Sequence, residues 1–221
     1  MTIASYNDLV QRCQDWLFGR TDIASRVPDF ITMFEAKANR KLFCRQMEIR
    51  STATVNLNAP EPEFVPLPLD FQSMRRVRLI NTVQPSGGSK PRLKFATGAQ
   101  MDDLRVMNNT EPGIPIWFAV FGTQMELCPT PAYAFPLEMI YRANIPPLGA
   151  NTATNWLLAF APDAYLYGAL MEAAPYLAND ERIPVWASGV QAAFDDLNKL
   201  SDEAEFNAGP LTWRRKGRSY S

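Results

Sequence analysis

Glu35 and Glu172 each stand in an apolar stretch with helical character, and two carboxyl groups held about 5 to 10 Å apart are the machinery of a glycosidase. Nothing in the sequence places these two together, and carboxylates on helices are ordinarily solvated. Histidine is absent, which removes the commonest general base, the usual partner of a nucleophilic Ser or Cys, and the commonest metal ligand. Cys13, Cys44 and Cys128 are odd in number, widely spaced and without a C-x-x-C pair. They read as reduced, buried thiols, not as a disulfide framework or a zinc site. There is no G-x-x-x-x-G-K-[ST] loop and no G-x-G-x-x-G after a strand to cradle a phosphate. The chain is therefore not expected to be an enzyme, and no catalytic residue, cofactor or metal is assigned.

The remaining chemistry is charge. Residues 209–221 open on Gly209-Pro210 and then concentrate Trp213, Arg214, Arg215, Lys216, Arg218 and Tyr220, and Trp and Arg are enriched at interface hot spots. Just before them, Asp195, Asp196, Asp202, Glu203 and Glu205 make the end of the last helix acidic. The two blocks could complement one another across neighbouring subunits. Arg75, Arg76 and Arg78 form the densest basic cluster elsewhere; on a regular strand Arg76 and Arg78 share one face, Arg75 and Val77 the other. That cluster reads either as a solvated, salt-bridged sheet face or as a channel wall or inter-subunit contact. A formal charge of -1 over 221 residues gives no long-range pull toward nucleic acid or anionic lipid.

These groups must be positioned by a folded chain, which 47% apolar residues allow. Tyr6, Leu9, Val10, Cys13, Trp16 and Leu17 recur at helical spacing, with a Ser5/Asp8 capping box before them and Gly19 as a stop. A second helix is expected from Val27-Pro28, burying Ile31, Phe34, Ala38 and Leu42 and packing on the first. From Met47 the texture turns β-rich. Expected strands are Thr52 to Leu57, Met74 to Ile80, Arg92 to Phe95, Ile116 to Phe121, Gln124 to Cys128 and Leu137 to Tyr141, with a hairpin at Gly122-Thr123 and a loop over 84–91. Pro60, Pro62, Pro66 and Pro68 are expected to stiffen entry to strands, and Trp117-Phe118 and Trp156-Leu157-Leu158 to pack in the core.

Two further helices close the chain. In the first, Tyr165 or Leu166, Ala169, Ala173 and Tyr176 or Leu177 should share one face, with Pro175 bending the last turn. In the second, beginning near Asp180, the stripe is Ile183, Trp186, Val190, Ala193 or Phe194, Leu197 and Leu200. The expected fold is α+β: a discontinuous helical bundle (1–46 and 150–206) of two N-terminal and two C-terminal helices, an inserted antiparallel β-rich domain (47–149), and an extended C-terminal tail (207–221). The N-terminus lacks signal-peptide features and no apolar run approaches about 18 residues, so no membrane partner is expected and folding in a cytosol is.

Several pieces in order carry a resemblance. They are Tyr6-x-x-Leu9-Val10 with Trp16-Leu17, Ile31-x-x-x-Glu35-Ala36 leading to Asn39-Arg40-x-Leu42, Leu67-Pro68-x-Asp70-Phe71, Glu126-Leu127-Cys128-Pro129, and Tyr141 before Ile145-Pro146-Pro147-Leu148. The strongest is Asn155-Trp156-Leu157-Leu158, Tyr165-Leu166-Tyr167 and Asn179-Asp180-Glu181-Arg182. With these the chain resembles the head-to-tail (portal) adaptors, or tail tubular protein A family, of short-tailed bacteriophages. The resemblance implies a virion protein assembled in the host cytoplasm into a ring of twelve neighbouring copies. That ring joins the portal protein to the tail nozzle protein, encloses the channel that genomic DNA transits, and in several members helps seat tail fibres. It turns the basic tail into a docking element for the portal or a neighbouring adaptor, with Trp213 as apolar anchor. The alternative is a nucleic-acid-binding module using that same tail.

Overall fold

A reciprocal cap starts the first helix of this computed structural model, which describes residues 3–17, 21–80, 92–107, 111–177 and 180–205. Ser5 Oγ accepts from the Asp8 amide at 3.3 Å while Asp8 Oδ2 accepts from the Ser5 amide at 3.1 Å, as the sequence predicts, and helix α1 runs over Tyr6–Trp16. The chain divides into two compact units, Met1–Arg45 with Pro147–Ser221, and Gln46–Pro146.

In the first unit, a short helix α2 (Thr21–Ala24), unforeseen in the sequence, precedes α3 (Val27–Lys41). Pro28 occupies the first turn of α3, where its missing N–H leaves no bond unmade. After the second unit come α5 (Trp156–Phe160), α6 (Pro162–Tyr176), a 3₁₀ turn at Asp180–Arg182, and α7 (Ile183–Glu205). α1 and α3 touch, as expected, but both also pack on α6, which is flanked by α5 and α7 as well. This central position corrects the single stripe expected for α6: Ala164, Tyr165, Leu166, Gly168, Ala169, Leu170, Glu172, Ala173 and Ala174 are all buried, while Tyr176 is exposed. A helix wrapped by neighbours is apolar around most of its circumference. Gly168 permits the closest approach, because a Cβ there would lie 2.1 Å from Cδ2 of the buried Phe34 ring.

The stripe of α7 holds at Val190, Ala193, Phe194 and Leu197 and fails at Leu200, which is 59% exposed. The buried line steps four residues from Leu197 to Ser201, whose hydroxyl accepts from the Arg45 amide at 2.7 Å, so Leu200 turns outward. Asn198 Oδ1 accepts from the Phe43 amide at 3.2 Å and ties the same segment to the helix.

The second unit is a two-sheet sandwich. One sheet has the order β1 (Glu48–Thr54), β7 (Pro136–Ala143), β3 (Phe71–Leu79); the other has β2 (Phe64–Pro66), β6 (Gln124–Cys128), β5 (Trp117–Phe121), β4 (Lys94–Phe95). Val77, Leu79, Leu137, Met139 and Tyr141 from the first meet Val65, Phe118, Met125 and Leu127 from the second in one core. Along β3 the buried Val77 and Leu79 alternate with the less covered Arg76 and Arg78, as a strand with one buried face requires. Gly122, at φ 56°, makes the expected two-residue hairpin between Phe121 and Gln124. Asp70, from the Leu67-Pro68-x-Asp70-Phe71 piece, accepts from the Tyr141 hydroxyl at 2.9 Å.

Four expectations for this region are corrected. β1 starts four residues upstream of the Thr52 start expected and ends at Thr54. Phe64–Pro66 is itself a strand, tolerating Pro66 because it lies at a sheet edge. β4 pairs parallel with β5, so the sheets are not purely antiparallel. Gly98–Met107 forms a helix, α4, that sets Met101 and Leu104 against Ala119 and Cys128 on the outer face of the second sheet. Arg105 on α4 clips that contact through Glu126 at 2.6 Å.

Candidate functional site

Two polar assemblies distinguish the units. In the first, four motif pieces converge on one buried node. Glu35 of α3 accepts from the Leu148 amide at 2.8 Å and from the Tyr165 hydroxyl at 2.9 Å. Asn155 Nδ2 donates to the Tyr165 oxygen at 2.6 Å, and Asn155 Oδ1 accepts from the Leu158 amide at 2.8 Å, capping α5. Burial pushes the Glu35 carboxyl pKa up against the pull of its two donors. Burial, with the facing Glu35 charge, pushes the Tyr165 phenol up as well. Glu35 thus serves as an acceptor that pins two helices and a loop, a use the sequence motif contained without revealing. Glu172, the other nominated carboxylate, is buried and pairs with Lys37 at 2.6 Å.

In the second unit, the outer face of the β1–β7–β3 sheet collects arginines. Register places Arg50 opposite Ile140, and Ile140 opposite Arg76; Glu138 lies between Thr52 and Arg78, and Arg142 between Glu48 and Ser73. A β-bulge between Met74 and Arg76 breaks the alternation of β3. Met74 and Val77 both face the core, three residues apart, so Arg75 and Arg76 share the position opposite Ile140. The expected split, Arg75 with Val77 and Arg76 with Arg78, is corrected: Arg75 Nε reaches Glu48 Oε1 on β1 at 2.6 Å, on the same outer side as Arg76 and Arg78.

The face is only partly neutralised. Arg50 Nε and Glu138 Oε2 lie 2.8 Å apart, with Glu138 almost fully covered and Arg50 61% exposed, an arrangement worth about 1 kcal/mol or less once water screens the outer partner. Among the described residues Arg76 and Arg78 have no ion pair, and the Arg76 Nε atom is buried without a hydrogen-bond partner. Arg76 and Arg78 were visible in the sequence as a cluster. Arg50, Arg142, Glu48 and Glu138 were missed, since only their i, i+2 spacing hinted at a shared face and the strand pairing that joins them is long-range.

The other sites expected from the sequence, Trp213, Arg214, Arg215, Lys216, Arg218 and Tyr220, lie outside the described residues, as do Gly19, Asn179 and the 84–91 loop. Cys13, Cys44 and Cys128 are free and buried, and burial raises the Cys13 thiol to about 12. Among the described residues no group of His, Cys, Asp and Glu could hold a metal ion, and no helix is long and apolar enough to cross a membrane.

No curated protein sequence matches the chain. The sequence model of one family, described as SU10 adaptor protein, matches residues 4–214, a span that takes in both units and enters the basic tail. Matched over nearly its whole length, the chain belongs to the SU10 adaptor protein family and is a structural adaptor of the phage virion.

Proposed function

We propose that this adaptor forms a ring, of twelve copies, between the portal and the tail nozzle in the neck of the virion, assembled in the host cytoplasm and enclosing the channel through which the genome leaves. The observation that carries this reading is the family match along nearly the whole chain, residues 4–214. The surface chemistry supports it. An adaptor must meet several partners at once, and the chain offers separate cationic and acidic surfaces. Residues 207–221 dock on the portal or on a neighbouring subunit, with Trp213 as apolar anchor, Arg214, Arg215 and Arg218 pairing carboxylates, and Lys216 and Tyr220 at the margin. Arg76 and Arg78 belong to a surface that meets a neighbour or faces the DNA channel. The ring is also a seat for tail fibres.

The test is reconstitution. Purified chain mixed with cognate portal rings should co-elute as a larger particle showing a second ring by negative-stain microscopy. Salt-sensitive retention on DNA without portal affinity would instead make the chain a nucleic-acid-binding module working through its basic tail. Truncation after Gly209 tests the docking role: unchanged affinity for portal rings removes it.

A further inference from the structure

We propose that the arginine face of the β1–β7–β3 sheet receives the acidic stripe of α7 from a second copy of this chain, so that each subunit carries one half of the junction at either of two places. The proposal rests on the ring reading above and names the surfaces that would close it.

On this face Glu138 answers Arg50 and Glu48 answers Arg75, while Arg76 and Arg78 have no ion pair among the described residues, which leaves an excess of positive charge on β3. In a second copy the counter-charge comes from the described regions, because the segments outside them contain no Asp or Glu side chain. The second half of α7 supplies it. Val190, Ala193, Phe194, Leu197 and Ser201 define its buried side, and at 100° per residue Asp195, Asp196, Lys199, Asp202 and Glu203 fall on the opposite side. All five are exposed. Four carboxylates against one lysine leave three negative charges, opposite in sign to the sheet face.

The spacings are commensurate. Asp195 and Asp202, seven residues apart, are separated by about 10.5 Å along the helix. Arg50 and Arg76 lie two strands apart, about 9.6 Å at the usual inter-strand distance. Arginine suits such a contact because its planar fork binds a carboxylate with two parallel hydrogen bonds. Phosphate is the other anionic chemistry that could occupy the face, and the two glutamates argue against it. Glu138 is fixed in the sheet surface with 7% of its side chain exposed, so it cannot swing away from a phosphate backbone. Because the two halves are different surfaces, the contact is heterologous, the kind of contact that builds a ring when its rotation closes.

A charge-exchange experiment tests it on the full chain with cognate portal rings. Variant one carries Arg76→Glu and Arg78→Glu; variant two carries Asp195→Lys and Asp202→Lys. Each alone should assemble at least about tenfold less well than the natural chain, because like charges then meet at every junction. An equimolar mixture should regain ring formation, since alternating subunits bring Glu to Lys at one junction and Arg to Asp at the next. Either variant assembling normally alone, or a mixture that fails as badly as its parts, overturns the proposal. If the first variant instead loses salt-sensitive DNA retention while the second assembles normally, the face belongs to DNA. Should a double variant unfold in a thermal melt, Arg78→Glu mixed with Asp202→Lys examines the same junction with one change on each side. Failure of the natural chain to form rings on portals would count against the ring reading itself, not against this pairing.

Discussion

The buried node around Glu35 and the arginine face around Ile140 use the same kinds of polar group in opposite ways. At the node, the Glu35 carboxylate, the Tyr165 phenol and the Asn155 amide bond to one another and to the Leu148 and Leu158 amides within about 3 Å, all inside the chain. On the face, Glu48 and Glu138 answer Arg75 and Arg50, while Arg76 and Arg78 go without a carboxylate among the described residues. Polar groups that specify a fold are satisfied in the chain, because an unpaired buried group costs free energy on every molecule. Polar groups left over on a surface cost little in water and remain available to a partner, as the Arg78 side chain does; the covered Arg76 Nε is the exception on this face.

That contrast can be broken at four points. The largest effect should come from Gly168→Ala, which drives a methyl into the Phe34 ring at 2.1 Å; overpacking of this kind costs about 3 kcal/mol, measured as a shift in urea midpoint. Tyr165→Phe removes the phenol that donates to Glu35 and accepts from Asn155 Nδ2, and should cost about 2 kcal/mol by the same measurement. A loss below half a kilocalorie would mean the node is not what holds α3, α5 and α6.

The third effect is a pH slope. The folded pKa of Glu35 is raised from 4.5, so the folded state holds its proton more tightly than the unfolded chain. Its contribution to stability is complete below the unfolded pKa and disappears as pH rises through the folded value. Unfolding titrations should therefore show stability falling with rising pH above 4.5, and Glu35→Gln should flatten that slope while leaving the acceptor oxygen in place. The smallest change should come from Arg78→Ala in the isolated chain, within about 0.5 kcal/mol of the natural protein. A larger loss would make the arginine face part of the fold's own stability and erase the difference between the two regions.

Local rules made much of this legible. Ser5 and Asp8 announce a helix start, Val27-Pro28 another, and Gly122-Thr123 a hairpin, because caps and turns depend on a few neighbouring residues. α4 escaped notice between strands, its apolar positions Met101 and Leu104 too few to mark a period and meaningful only against Ala119 and Cys128. Leu200 lies at the edge of the α7 stripe, where Leu197 is near its centre, and the tertiary contact of the Arg45 amide with Ser201 marks which side is buried. Glu35 shows the same limit at the site. Its residue type suggested chemistry, and only the arrival of Leu148 and Tyr165 made it a structural acceptor.

By itself the sequence determined the α+β class, the helix and turn boundaries with local signals, and the absence of histidine chemistry. Each of these depends on residue types or on contacts a few positions apart. Tertiary structure alone decided which polar groups would be spent inside. A carboxylate's role depends on donors brought from far along the chain, and an arginine's face depends on strand register and on a single bulge, which moves Arg75 to the side of Arg76 and Arg78.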